Sequence, residues 1–264
     1  MRVVTWADAG ALPFVDAQAC THPSLTLLAM DDRACSAVRY DCVNASTVER
    51  RVADALRRDP VGRALHERGH KPVFSHEGRR MQWLKLFAPV YLEGSGPFVL
   101  TDADVVWRAP ASRLGEYACA GAEYDVAFAH NGARGYPALA NAGFIASCDT
   151  AAARAFFRRL VRFVGADART PMREVADALN RRLHTSRDRI APSEALLNDQ
   201  HVLNVALLTD RAVRWALFPP SSVSNQCFPA VRPSVAYHAA CADPHEKRAL
   251  LRAQLNASCA PLLA

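Results

Sequence analysis

Short apolar runs that stop at acidic residues recur along this chain, and they restrict its fold more than any other feature. Arg2 to Trp6 (RVVTW) is followed by Asp8, and Leu25 to Met30 (LTLLAM) by Asp31-Asp32. Phe98 to Leu100 runs straight into Thr101-Asp102-Ala103-Asp104. Apolar runs of this length read as strands buried on both faces, as parallel sheets require. Asp125 to Ala129, Gly143 to Ser147, Val213 to Phe218 and Val235 to His238 read as further strands. Helical signals fall between them. Ser46 and Glu49 form a capping box for a helix to Arg58, which Asp59-Pro60 stops. Gly78 to Leu92 offers Trp83, Leu84, Phe87 and Tyr91 to one face. Asp149-Thr150 caps a helix through Phe163, and Thr170-Pro171 and Ser193 open two more. Pro244 to Leu255 closes the chain as a helix. Strands alternating with helices predict an α/β architecture with a mostly parallel sheet covered on both sides.

The chain has 264 residues, half of them hydrophobic and 22% charged, enough for a large buried core. No apolar run approaches the roughly 18–20 residues of a membrane span. Asp8 interrupts any apolar signal segment after Arg2, so a cytoplasmic location is expected. Of the 32 basic residues behind the net charge of +6, 29 are Arg, in pairs scattered from Arg50-Arg51 to Arg181-Arg182. Dispersed pairs describe solvated helix faces better than a nucleic-acid site. The eight cysteines show no CxxC pair and no zinc-ligand spacing, and reduced thiols are expected. The sequons at Asn44 and Asn256 are compatible with a secretory lumen instead.

Asp102-Ala103-Asp104 carries the chemistry. An apolar strand delivers two carboxylates, one residue apart, to its C-terminal end, the edge where open α/β sheets hold ligands. Two such groups around a bend can converge on one hard divalent cation, Mn²⁺ or Mg²⁺. A cation there would hold a diphosphate and neutralise it as it leaves. The plain alternative is that Asp102 caps a turn and Asp104 is solvated.

The stretch from Lys85-Leu86-Phe87-Ala88-Pro89 through Phe98 to Pro110, with Asp102-Ala103-Asp104-Val105-Val106-Trp107 inside it, resembles nucleotide-diphospho-sugar transferases of the GT-A fold. In particular it is similar to the retaining family that includes plant arabinosyl- and xylosyltransferases. Asn141-Ala142-Gly143-Phe144, Asn198-Asp199-Gln200 with Leu203-Asn204, and Tyr237-His238 with Lys247 follow in that family's order. The resemblance implies a Rossmann-like, mixed and mostly parallel sheet flanked by helices, in one domain over residues 1–264. Residues 1–100 would form the nucleotide-binding part and 101–264 the metal, donor-sugar and acceptor part. It further implies Asp102, Asp104 and His238 as metal ligands and Lys247 as a point charge on phosphate. Asn141, Ala142 and Gly143 would make a sugar-contacting turn. Asp199 and Gln200 would line the donor sugar near its anomeric carbon and act as the catalytic pair. Lys85 and Asp31 would contact the nucleotide. The implied reaction moves a sugar from UDP to an unknown glycan, protein or small-molecule acceptor, with retention. No carboxylate nucleophile is recognisable, which fits a front-face route. Family members usually sit in the Golgi lumen behind an N-terminal anchor, so that location follows if an anchor has been removed.

Two rivals use the same letters differently. A haloacid-dehalogenase-type phosphatase would take Asp102 as nucleophile and Asp104 as acid, but it starts near such a strand and needs a late acidic pair. A basic module binding RNA or DNA would leave the Asp102–Asp104, Asn141–Gly143 and Asp199–Gln200 blocks without a purpose.

Overall fold

A computed structural model describes residues 1–29, 32–44, 46–48, 50–51, 85–86, 88–121, 123–130, 140–165, 199–225, 232–239 and 244–263. The expected helix after Thr170, residues 52–58 and 78–84 of the helices expected over 46–58 and 78–92, and the contact assigned to Asp31 lie outside these residues.

Among the described residues, ten strands form two sheets. The larger contains β1 (Arg2–Ala7), β2 (Leu25–Ala29), β3 (Asp41–Asn44), β4 (Phe98–Thr101), β6 (Val126–His130), β7 (Ala140–Ser147) and β8 (Trp215–Leu217). Its order is β3-β2-β1-β4-β7-β6-β8. Only β7 runs against its neighbours: β4 and β6 pair with it antiparallel, and every other pairing is parallel. The expected mixed, mostly parallel sheet is therefore observed. The smaller sheet joins β5 (Val105–Trp107), β10 (Ala236–His238) and β9 (Val223–Asn225).

Neighbouring strand residues face opposite layers, which explains the unbroken apolar runs. On one side Val4, Leu100, Ile145 and Phe128 pack against Leu86, Phe156, Phe157, Leu160 and Leu203 from the covering helices. On the other, Val3, Val99, Phe144 and Ala127 pack against Val15, Leu114 and the apolar residues of the small sheet. The helix Leu12–Thr21, unheralded in the sequence, and the helix Ser112–Ala118 cover this second face.

The helix Ala151–Gly165 starts as its capping signal requires, with Thr150 Oγ1 accepting from Ala153 N at 3.1 Å. Asp149, at a φ of 54°, instead accepts from Gly94 N and Gly96 N and ties that turn to the helix.

The expectation of reduced thiols is overturned. Cys20–Cys259, Cys35–Cys42 and Cys119–Cys148 are disulfides, with Cα atoms 5.4–5.9 Å apart. Cysteine spacing cannot reveal such pairs when partners lie 239 residues apart. Cys227 and Cys241 lie outside the described residues.

Candidate metal centre

The two aspartates stand where β4 gives way to β5. Thr5 Oγ1 donates to Thr101 O (3.0 Å), and Gln18 Nε2 donates to Thr101 Oγ1 (2.7 Å), so the last residue of β4 is bracketed by buried polar contacts. Asp102 N donates to Gly143 O at 2.8 Å, tying the start of the bend to β7. Beyond the bend, β5 pairs antiparallel with β10 and sets Val105 opposite His238. Ala239 N then donates to Asp104 O at 3.0 Å. Residues more than 130 positions apart are thereby held around one point.

Each carboxylate uses one oxygen for support. Asp102 Oδ1 accepts from Trp6 Nε1 (2.9 Å) and faces Lys85 Nζ (3.0 Å). Lys85 is buried and lies over the Trp6 ring, 5.1 Å from its centroid. Asp104 Oδ2 pairs with Lys247 Nζ at 2.5 Å. Lys247 comes from the helix Pro244–Arg252, which packs through buried Leu251, one turn further on. The remaining oxygens face the imidazole: His238 Nε2 is 3.2 Å from Asp104 Oδ1 and 3.6 Å from Asp102 Oδ2.

His238 is 1% exposed, yet neither ring nitrogen makes a hydrogen bond of acceptable geometry. Its approach to the carboxylates is a pairing of charge. Burial by itself would push the imidazole down, but Asp104 and Asp102 outweigh that and raise it to about 9. Burial would likewise lift both carboxyls. For Asp102, Lys85 and His238 prevail and hold it well below the usual carboxylate range. For Asp104, His238 and Lys247 prevail against burial and the Asp102 charge.

Two carboxylate oxygens and an imidazole nitrogen that lie within 4.8 Å of one another can hold one divalent cation. The buried imidazole is the fit such an ion requires, because it makes no well-formed hydrogen bond and coordination would replace its loose approach to the two carboxylates. Gly143 forms the floor of the space. A Cβ there would stand 2.2 Å from Asp102 Oδ2 and 2.5 Å from His238 Cε1.

Asn141, Ala142 and Gly143 do not form a turn. They lie within β7, next to the register shift between Phe128 and Ala129 in β6. Small and polar letters read as a turn, but the strand continues through them. Asn141 Oδ1 accepts from Gly143 N at 2.7 Å. Gln200 reaches the same strand, its Oε1 accepting from Ala142 N at 3.3 Å. Asp199 opens the helix Asp199–Thr209, but its side chain lies outside the described residues. Lys85 and Lys247 reach the centre as partners of the two aspartates. Trp6 was not foreseen, since at the end of an apolar strand it reads as core. The phosphatase alternative finds no late acidic pair among the described residues; the third group is a histidine.

No protein-family model and no curated protein matches the sequence. Solved structures do match in fold. Mouse xyloside xylosyltransferase 1 aligns at 10% identity with a TM-score of 0.56, over 91% of this chain and 97% of that one. The bifunctional glycosyltransferase WbbM aligns at 13% identity with a TM-score of 0.54, over 92% of this chain. This chain spans about half of WbbM, covering 46% of its length. Both likenesses are to GT-A glycosyltransferases, and the fold of this chain is a GT-A, Rossmann-like fold.

Proposed function

We propose that this chain, built on the GT-A fold, is a metal-dependent glycosyltransferase that moves a sugar from UDP to an acceptor hydroxyl with retention. The observation that carries the reading is the convergence of Asp102, Asp104 and the buried His238 on one point at the sheet's ligand-binding edge.

In this reading Asp102, Asp104 and His238 hold Mn²⁺ or Mg²⁺. A divalent cation there supplies charge neutralisation to a departing diphosphate. Lys247, now paired with Asp104, is the nearby ammonium on a partly exposed helix face and turns to the phosphates as a point charge. Lys85 stays on Asp102 and fixes its supporting oxygen. Asn141 and Gly143 border the sugar, and Gln200 with Asp199 lines its reacting face. Asp31 contacts the nucleotide. Residues 1–100 and 101–264 act as one unit, since β4 is paired with β1 on one side and with β7 on the other in the same sheet.

The three disulfides favour work in an oxidising compartment over the cytoplasm. Among the described residues no helix is long and apolar enough to cross a membrane.

The test is release of UDP from a panel of UDP-sugars with Mn²⁺ and after EDTA. The wild type releases UDP from at least one donor, EDTA stops it, and Asp104→Asn lowers the rate by more than about 100-fold. If no UDP-sugar is bound or cleaved, or if Asp104→Asn changes nothing, the proposal fails.

A further inference from the structure

Asn256-Ala257-Ser258 fits the pattern Asn-X-Ser with X other than proline, and the metal centre makes no use of it. It lies between the helix Pro244–Arg252 and the short helix Ala260–Leu263, and all three of its residues are exposed. Asn256 closes the turn there. Its Oδ1 accepts from Cys259 N at 3.0 Å and from Ser258 Oγ at 2.8 Å, and its main-chain oxygen accepts from Ala260 N at 3.0 Å. These are the contacts of a capping residue, and they engage only the oxygen of the carboxamide. Asn256 Nδ2 donates to no group among the described residues, so it is left to water. The side-chain hydrogen bonds of Asn256 and Ser258 stay within this turn and reach none of Asp102, Asp104, His238 or Lys247.

The covalent framework beside the turn bears on where it is exposed. Cys259, next to Ser258, is bonded to Cys20, and Cys35–Cys42 and Cys119–Cys148 are closed as well. Disulfides form and persist in oxidising surroundings such as a secretory lumen. Asn-X-Ser tripeptides of secreted chains are glycan acceptors, and a bulky, solubilising glycan needs a surface position such as this one. The sequon at Asn44 is less open. Asn44 is half-buried at the end of β3, and its Oδ1 accepts from Ser46 N at 3.2 Å and from Ser46 Oγ at 2.5 Å.

We propose that Asn256 carries an N-linked oligosaccharide, added in the compartment where the disulfides form. The co-substrate is an oligosaccharide on a polyprenyl diphosphate, delivered by a separate transferase of that compartment. Asn256 Nδ2 forms a bond to C1 of the first sugar, and the bond from C1 to the diphosphate oxygen breaks. The polyprenyl diphosphate leaves with that electron pair, and the proton lost from Nδ2 passes to a base of the transferase. The Ser258 hydroxyl, two residues on, is the group by which the acceptor is recognised. The inference is independent of the glycosyltransferase reading, because it uses the disulfides and this surface turn alone.

The test is to send the full chain through a eukaryotic secretory pathway behind a cleavable signal and map its glycans by peptide mass spectrometry. Treatment with an amidase that releases N-linked glycans should leave Asp in place of Asn256, and untreated protein should carry the glycan mass on that peptide. Asn256→Gln should abolish the modification at this position. Ser258→Ala should abolish it too, although this variant keeps the Asn256 carboxamide and its contact with Cys259 N and so preserves the turn. Secreted chain with an unmodified Asn256, a glycan confined to Asn44, or a glycan at Asn256 that persists in Ser258→Ala would overturn the proposal.

Discussion

Gly143 shows how little room the metal centre leaves. An alanine there would place a methyl 2.2 Å from Asp102 Oδ2, inside any allowed contact. The obstructing atoms are the proposed ligands themselves. Gly143→Ala should therefore fold but lose Mn²⁺ affinity by more than about tenfold, measured by manganese paramagnetic resonance. His238 supplies a pH signature. Its value in the fold, about 9, lies above its ordinary 6.5. The stabilisation this brings is complete below about 6.5 and is lost as pH rises through 9. A cation must displace the same proton, so Mn²⁺ affinity should climb with pH by up to about tenfold per unit and level off above about 9. In His238→Ala the slope should flatten; an unchanged slope removes His238 as a ligand. The carboxylates were legible because their spacing at a strand end has chemical meaning by itself. The Trp6 and Gln18 supports were not. Each reads as an ordinary residue of its element, and its role depends on which strand lies alongside.

Among the elements, β7 and the helix Asp199–Thr209 depend on one side chain. Asn204 Oδ1 accepts from Ala140 N, and its Nδ2 donates to Ala140 O and Gln200 O, all at 2.7–2.8 Å. Asn204 is 2% exposed, so Asn204→Ala would strand buried backbone groups on both elements. Urea unfolding should show a loss of about 2–3 kcal/mol, whereas a loss below 0.5 kcal/mol would mean the clamp is dispensable. Most strands could be read from their apolar runs to within a residue or two. Of β7 only Gly143–Ser147 could, because Ala140-Asn141-Ala142 has the composition of a loop. It is held as a strand by β6 and by Asn204, which lies 64 residues from Ala140. The helix Leu12–Thr21 was hidden for another reason. Its buried residues Val15 and Gln18 lie one turn apart on a face, but Gln18 is polar and the third, Ala17, is small, so no apolar stripe shows.

At the scale of the whole molecule, the α/β architecture could be anticipated because alternating strands and helices leave few ways to build a sheet, and the GT-A topology because the blocks from Lys85 to Lys247 resemble that family's. The covalent framework could not, since eight cysteines allow many pairings and nothing local chooses among them. Cys20–Cys259 joins the helix Leu12–Thr21 to the C-terminal tail, where Ala17, Val106, Tyr237, Leu251 and Leu263 form a small core of their own. All but the two ends of the polypeptide is thus a closed loop. A single protease cut anywhere between residues 20 and 259 opens a ring and releases no fragment. Limited proteolysis should give one band at the full mass of 28.8 kDa without reductant and two pieces with it. Topologically the chain has no interior ends, so a new terminus cut into a surface loop would give a permuted version of the same circle.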